Sequence, residues 1–168
     1  MSQISEHAAL AISFHIDILS VQEHRLFYDD HDLKHHELDN NWTLVIITQP
    51  HALKSLNNIE KITSRIIVAN FNGNPSTTVI CCYSLKDVCD EQEVIKFYND
   101  LSLVVRSIPK HRILNIGGDM NAQLSYDNPH HMYSFHQTSN RSGEHFAHFL
   151  VENNLQCLNT YFWKRPEI

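Results

Sequence analysis

Asp119 and Asn121 close the apolar stretch ILNIGGDMNAQL, Ile113 to Leu124, and are the side chains whose type and spacing best suit chemistry. A carboxylate can take or align the proton of a water molecule, and a carboxamide two residues on can face the same way if extended backbone continues. The same pair also suits a simple turn, because Asp and Asn are common turn formers. Glu23 ends a second short apolar run, Leu-Ser-Val-Gln at 19 to 22. An acid at the end of each of two strands of one sheet could share a divalent ion, since Mg²⁺ typically takes one or two carboxylates and completes its shell with water and substrate phosphate.

The thirteen histidines invite a transition-metal reading. His31 and His35 are four apart, His145 and His148 three apart, and His35-His36 and His130-His131 are doublets. Such a site needs a third ligand, and the chain has no H-E-x-x-H or paired Cys/His pattern, so these histidines read as polar residues of loops and helix faces. Phe97, Tyr98, Phe146, Phe149, Tyr161 and Phe162 fall at core-like spacings and read as packing, not as base-stacking platforms.

The elements that must position the acids follow from periodicity. Ser5 to about Phe14 is rich in helix formers and predicts a helix. Asp17 to Gln22 and Trp42 to Thr48 predict strands, the second ended by Pro50, with a polar loop at His31 to Asn41 between them. Arg65 to Phe71 and Thr77 to Tyr83 are β-rich runs separated by Asn72-Gly73-Asn74-Pro75, which predicts a hairpin. Asp90 caps a helix along which Val94, Phe97, Tyr98, Leu101, Val105 and Ile108 recur until Pro109. Arg112 to Ile116 predicts the strand that carries Asp119 at its far end. Glu144 to Asn153 predicts another helix, and Leu155 to Phe162 a last strand. Many apolar strands beside three helices predict an α/β fold in one domain over 1–168, with two packed, mainly antiparallel sheets and helices outside.

Composition narrows the function. At 168 residues and 42% hydrophobic, the chain can build a real core. No apolar run approaches the roughly 18 residues of a membrane helix, which predicts no membrane association. The first residues lack a basic leader before an apolar stretch, so the expectation is an intracellular protein, nuclear or cytoplasmic, not a secreted one. Four cysteines without a C-x-x-C pair read as reduced thiols. A formal charge of −6 argues against broad electrostatic binding of nucleic acid but leaves a metal-bridged contact open.

Five segments taken together resemble a known family. They are ILSVQEHRL at 18 to 26, RIIVANFNGNPSTTVICCYS at 65 to 84, FYNDL at 97 to 101, IPKHRILNIGGDMNAQL at 108 to 124, and LVENNLQCLNTYF at 150 to 162. In this order they resemble the endonuclease/exonuclease/phosphatase superfamily, and within it the endonuclease domains of non-LTR retrotransposons and their craniofacial development protein 2-like relatives. The resemblance implies a four-layer α/β sandwich that hydrolyses phosphodiesters with Mg²⁺ or Mn²⁺, with DNA as substrate. It places Glu23 on the metal-binding Glu and Tyr83 on the tyrosine that contacts the scissile phosphate. Asp119 falls on the acid that orients or activates water, and Asn121 on the amide that supports the phosphate.

The chain also departs from that pattern. A first strand with a catalytic Asn and a terminal Asp-His pair have no counterpart here, and Leu85 and Ser125 stand where Pro and Gly are common in the family. The expectation is therefore a domain incomplete at both ends, whose exposed sheet edges offer a surface for a protein partner or for self-association. Three functions stay open on the sequence: a metal-dependent endonuclease-like domain, an inactive transposon-derived remnant or binding module, and a phosphatase of the same superfamily.

Overall fold

The computed structural model describes residues 9, 11–22, 44–48, 50–126, 134 and 136–162. The expected fold class is observed: the chain is mixed α/β, and its described residues form a four-stranded sheet, a two-stranded sheet and two long helices. It divides into two compact units, Met1–Tyr83 with Lys110–Gly118, and Ser84–Pro109 with Asp119–Ile168.

The first unit opens with helical residues at Ala9 and 11–13, within the predicted helix. His15 ends that helix in the left-handed region at φ 54°, and the Ile16 amide donates back to the Ala11 carbonyl at 2.8 Å. That pairing is a Schellman stop made without glycine. Strands β1 (Ile18–Gln22) and β2 (Leu44–Thr48) pair antiparallel, Ile18 opposite Thr48 and Gln22 opposite Leu44. Pro50 does more than end β2. It starts the one-turn helix α1 (Pro50–Leu53), where its missing N–H would have had no partner anyway.

The larger sheet has the order β3 (Leu56–Thr63), β4 (Ile66–Phe71), β5 (Thr77–Tyr83), β6 (Ile113–Asp119). The predicted hairpin is β4 with β5, whose register runs from Ile66 opposite Cys82 to Phe71 opposite Thr77. Ile66, Ile67, Val68 and Ala69 are all buried, so both faces of β4 are shielded, which explains its unbroken apolar run. Strand β3 goes beyond the sequence expectation. LNNIEKIT lacks alternation because the strand lies at the sheet edge, exposed from Asn57 to Ile62 and broken by register shifts after Leu56 and Lys61.

The pairing of β5 with β6 is parallel. At one end the Ile113 amide donates to the Ser76 carbonyl, at 2.9 Å. At the other end Ser84 lies beside Asp119, its amide donating to the Asp119 carbonyl at 2.8 Å. Both strands therefore run the same way. Arg112 fixes the start of β6, its guanidinium donating to Thr78 Oγ1 at 2.8 Å and to the carbonyls of Thr77 and Phe71 at 2.9 and 3.1 Å.

The two sheets of the first unit face each other, as the composition of strands suggested. Ser20 of β1 donates to Cys81 Sγ of β5, and Gln22 Nε2 donates to Ser20 Oγ at 3.1 Å and to Cys81 Sγ at 3.7 Å. Burial pushes the Cys81 thiol above its ordinary range, while the bonds from Ser20 and Gln22 pull the other way. Ile67, Cys81 and Tyr83 form one buried cluster.

In the second unit, α2 (Glu91–Ser107) is capped by Asp90, whose carboxylate accepts from the Gln92 amide at 2.8 Å. Its buried stripe is Val94, Phe97, Tyr98, Leu101, Ser102 and Val104, so the stripe turns to Val104 and leaves the expected Val105 half-buried. Helix α3 (Arg141–Glu152) begins three residues before the predicted start, because Asn140 caps it and accepts from the Gly143 amide at 2.7 Å. The two helices pack through Tyr98 and Phe149, whose ring centroids are 5.8 Å apart. They also meet through Arg106 and Glu152 at 2.6 Å and through Asn153 Nδ2 donating to Ser102 Oγ at 3.0 Å. The strand predicted over Leu155 to Phe162 is absent. That stretch holds a single 3-10 turn, Leu158–Thr160, with the Thr160 hydroxyl turned back onto the Cys157 carbonyl at 2.8 Å.

Candidate functional site

The candidate chemistry sits where β6 ends. Just before it, Gly118 has φ 151°, and a Cβ there would lie 1.8 Å from the Cys82 carbonyl oxygen. Only glycine lets β6 approach β5 so closely. The next residue, Asp119, belongs to the second unit and is exposed.

Asp119 and Asn121 are brought together, and the bond between them is a turn contact. Asp119 Oδ1 accepts from the Asn121 backbone amide at 2.8 Å, the pattern of an Asx turn. Asn121 takes the left-handed conformation at φ 47°, which Asn tolerates better than most residues. Its side-chain amide donates to the Ser84 carbonyl at 3.0 Å. The turn reading of the two residues is thus realised in full. Asp119 remains exposed, on a turn fixed by three hydrogen bonds.

Asn140 is the residue that sequence reasoning missed. Its Oδ1 accepts from the Gln123 amide at 2.9 Å as well as from Gly143, and its Nδ2 donates to the Asn121 carbonyl at 3.3 Å. One side chain therefore ties the Asp119 loop to the first turn of α3. Gly143 makes room for this, since a Cβ there would lie 1.9 Å from the Gln123 carbonyl oxygen. The signal was present in the sequence, as an Asn directly before a helical run is a capping residue.

A second clamp holds the same helix end. The Ser142 amide donates to Asp87 Oδ1 at 2.9 Å, and Arg141 donates to the carbonyls of Asp87 and Cys89, the latter at 2.6 Å. Acceptors of this chain therefore occupy the N-terminus of α3.

Tyr83 is buried in the first unit, with the Arg65 guanidinium 5.5 Å from its ring centroid and its amide donating to the Arg65 carbonyl at 3.0 Å. Glu23 lies outside the described residues, as do His31, His35, His36, His130 and His131. Among the described residues, no group of three or more His, Cys, Asp or Glu side chains is placed to hold a metal ion. His145 stacks on Tyr98 with centroids 6.1 Å apart, beside a groove of about 340 Å³ between α2 and α3 that includes neither Asp119 nor Asn121. Among the described residues Asp119 makes one side-chain hydrogen bond, and an exposed carboxylate is the kind of oxygen donor that suits a hard cation.

The fold and this turn define a mixed α/β protein with a fixed acid–amide pair at the end of a parallel strand. Comparison with known proteins adds one similarity. Over 101 residues the chain is 35% identical to craniofacial development protein 2 from Bos taurus, a match that covers 58% of this chain and 17% of that protein. The match thus spans about a sixth of the relative's length. It bears out the craniofacial development protein 2-like part of the expected resemblance. No family model and no solved structure matches the chain. Among the described residues, no helix is long and apolar enough to cross a membrane.

Proposed function

We propose that this chain is an endonuclease-like domain of the endonuclease/exonuclease/phosphatase superfamily, of retrotransposon type, that hydrolyses DNA phosphodiesters with Mg²⁺ or Mn²⁺. The observation that carries the reading is the Asp119 turn: an exposed carboxylate held in one place by Asn121, Ser84 and Asn140. A fixed, exposed carboxylate can orient a water and accept its proton without first reorganising. The resemblance assigns the metal carboxylate to Glu23, the phosphate contact to Tyr83 and the supporting amide to Asn121. A bound divalent ion would offset charge developing on the phosphate oxygens.

Nicking of supercoiled plasmid by the purified chain tests this, with Mg²⁺, with EDTA, and with Asp119→Asn in parallel. The variant keeps an acceptor for the Asn121 amide, so the turn survives while the negative charge is lost. Metal-dependent nicking that falls by about 10²- to 10⁴-fold in the variant is the expected result. Nicking that ignores EDTA or the substitution would sink the assignment.

A second reading is favoured by one detail. The Asn121 amide expected to support phosphate already donates to the Ser84 carbonyl. A transposon-derived remnant that keeps the turn for its structure, and serves as a binding module, would be folded and silent in the same assay.

A further inference from the structure

We propose that Asn72-Gly73, in the turn between β4 and β5, is a site of spontaneous succinimide formation, through which this turn acquires a carboxylate and an isomerised backbone. Of the four glycines in the chain, only Gly73 follows an asparagine. The reaction needs nothing but water. The Gly73 backbone nitrogen attacks Asn72 Cγ and a C–N bond closes a five-membered ring. The bond from Cγ to the side-chain nitrogen then breaks, and that nitrogen leaves as ammonia with the proton lost by Gly73. Water opens the ring at either carbonyl. Attack at the side-chain carbonyl leaves an ordinary aspartate in place of Asn72, and attack at the main-chain carbonyl leaves isoaspartate, with one more methylene in the backbone.

The structure supplies what the sequence alone does not. Asn72 and Gly73 are both exposed. Neither the Asn72 carboxamide nor the Gly73 amide has a hydrogen-bond partner among the described residues, so electrophile and nucleophile are both free in solvent. Their surroundings are nonetheless anchored: the Asn72 amide donates to the Ser55 carbonyl at 2.7 Å, and the Gly73 carbonyl accepts from Ser76 Oγ at 3.2 Å. Every other asparagine is followed by a residue with a Cβ, and five of them are also tied by their side chains. Asn70 accepts from Thr78 and Asn58 donates to Glu60, while Asn121, Asn140 and Asn153 each make bonds already described or equivalent ones. A side chain on the following residue crowds the attacking nitrogen, and glycine has none.

The test is peptide mass mapping of the full chain held for days in mildly alkaline buffer at body temperature, with a urea-unfolded sample and Asn72→Gln alongside. The peptide carrying residues 72 and 73 should gain one mass unit before any other asparagine peptide. It should then resolve into aspartate and isoaspartate forms of equal mass, at a rate within severalfold of the unfolded sample. Asn72→Gln should show no gain at this position. A native chain that stays unchanged at residue 72 while the unfolded sample reacts, or one in which another asparagine leads, would overturn the proposal.

Discussion

Replacing Asn140 by alanine removes three hydrogen bonds at once, and their geometry fixes the expected cost. The helix cap, Gly143 N–H to Asn140 Oδ1 at 2.7 Å, is worth about 1 kcal/mol. The bonds to Gln123 N–H and Asn121 C=O, at 2.9 and 3.3 Å, are partly open to water and add roughly 0.5 to 1 kcal/mol each. The sum is about 2 to 3 kcal/mol, or a Tm lowered by roughly 5 to 10 °C for a chain of this size. Asn140→Asp keeps both acceptor bonds and places a negative charge at a helix N-terminus, where it is stabilising, and it loses only the donor to Asn121. Urea unfolding followed by circular dichroism should therefore rank wild type and Asn140→Asp together and Asn140→Ala well below. Hydrogen exchange should report the alanine variant as faster at the Gln123 and Gly143 amides. An alanine variant within about 0.5 kcal/mol of wild type, or an aspartate variant equally damaged, would refute the view that this side chain joins loop to helix.

Two further outcomes are expected. Gly118→Ala should cost more than about 4 kcal/mol and yield little soluble protein, because its Cβ would meet the Cys82 carbonyl at 1.8 Å and φ 151° suits no side chain; a variant with a wild-type melting curve would contradict the close approach of β6. Cys81 gives a pH effect with a definite sign. Its thiol is raised in the folded chain, so the contribution is present below the unfolded thiol value of about 8.5 and is lost as pH rises above it. The stability difference between wild type and Cys81→Ala should then narrow between neutral pH and about pH 9.5, and a constant difference would show that the thiol does not titrate this way.

The legible parts of the sequence are those where side-chain type alone decides structure. The β4–β5 hairpin and α2 follow from apolar period, and Asp90 caps its helix as its type suggests. The Asp119–Asn121 pair is legible as a turn for the same reason, since Asp and Asn bond readily to nearby backbone. Strand β3 is not legible, because an edge strand gains its backbone bonds from β4 and needs no apolar alternation of its own. Leu155 to Phe162 errs in the opposite direction: an apolar run of that length suits a strand, yet Leu158 and Phe162 are exposed, and the backbone closes a 3-10 turn instead. At Asn140 the capping role is legible from its place before a helical run, but the bond to a loop seventeen residues upstream is not, because no local pattern reveals it.

The parallel pairing of β5 with β6 sets an order of events during synthesis. The antiparallel strands β3, β4 and β5 are joined by short turns and can zip together from local contacts as they emerge. Strand β6 cannot add to them until residues 84–112, with all of α2, have been made and the long loop has closed. Until then the outer edge of β5 stands open, with Cys81, Cys82 and Tyr83 not yet covered on that side, and the nascent chain passes through an interval in which a chaperone or another strand could claim it. A lesion at Gly118, which governs that late docking, would then register first as slow folding and lost yield during translation.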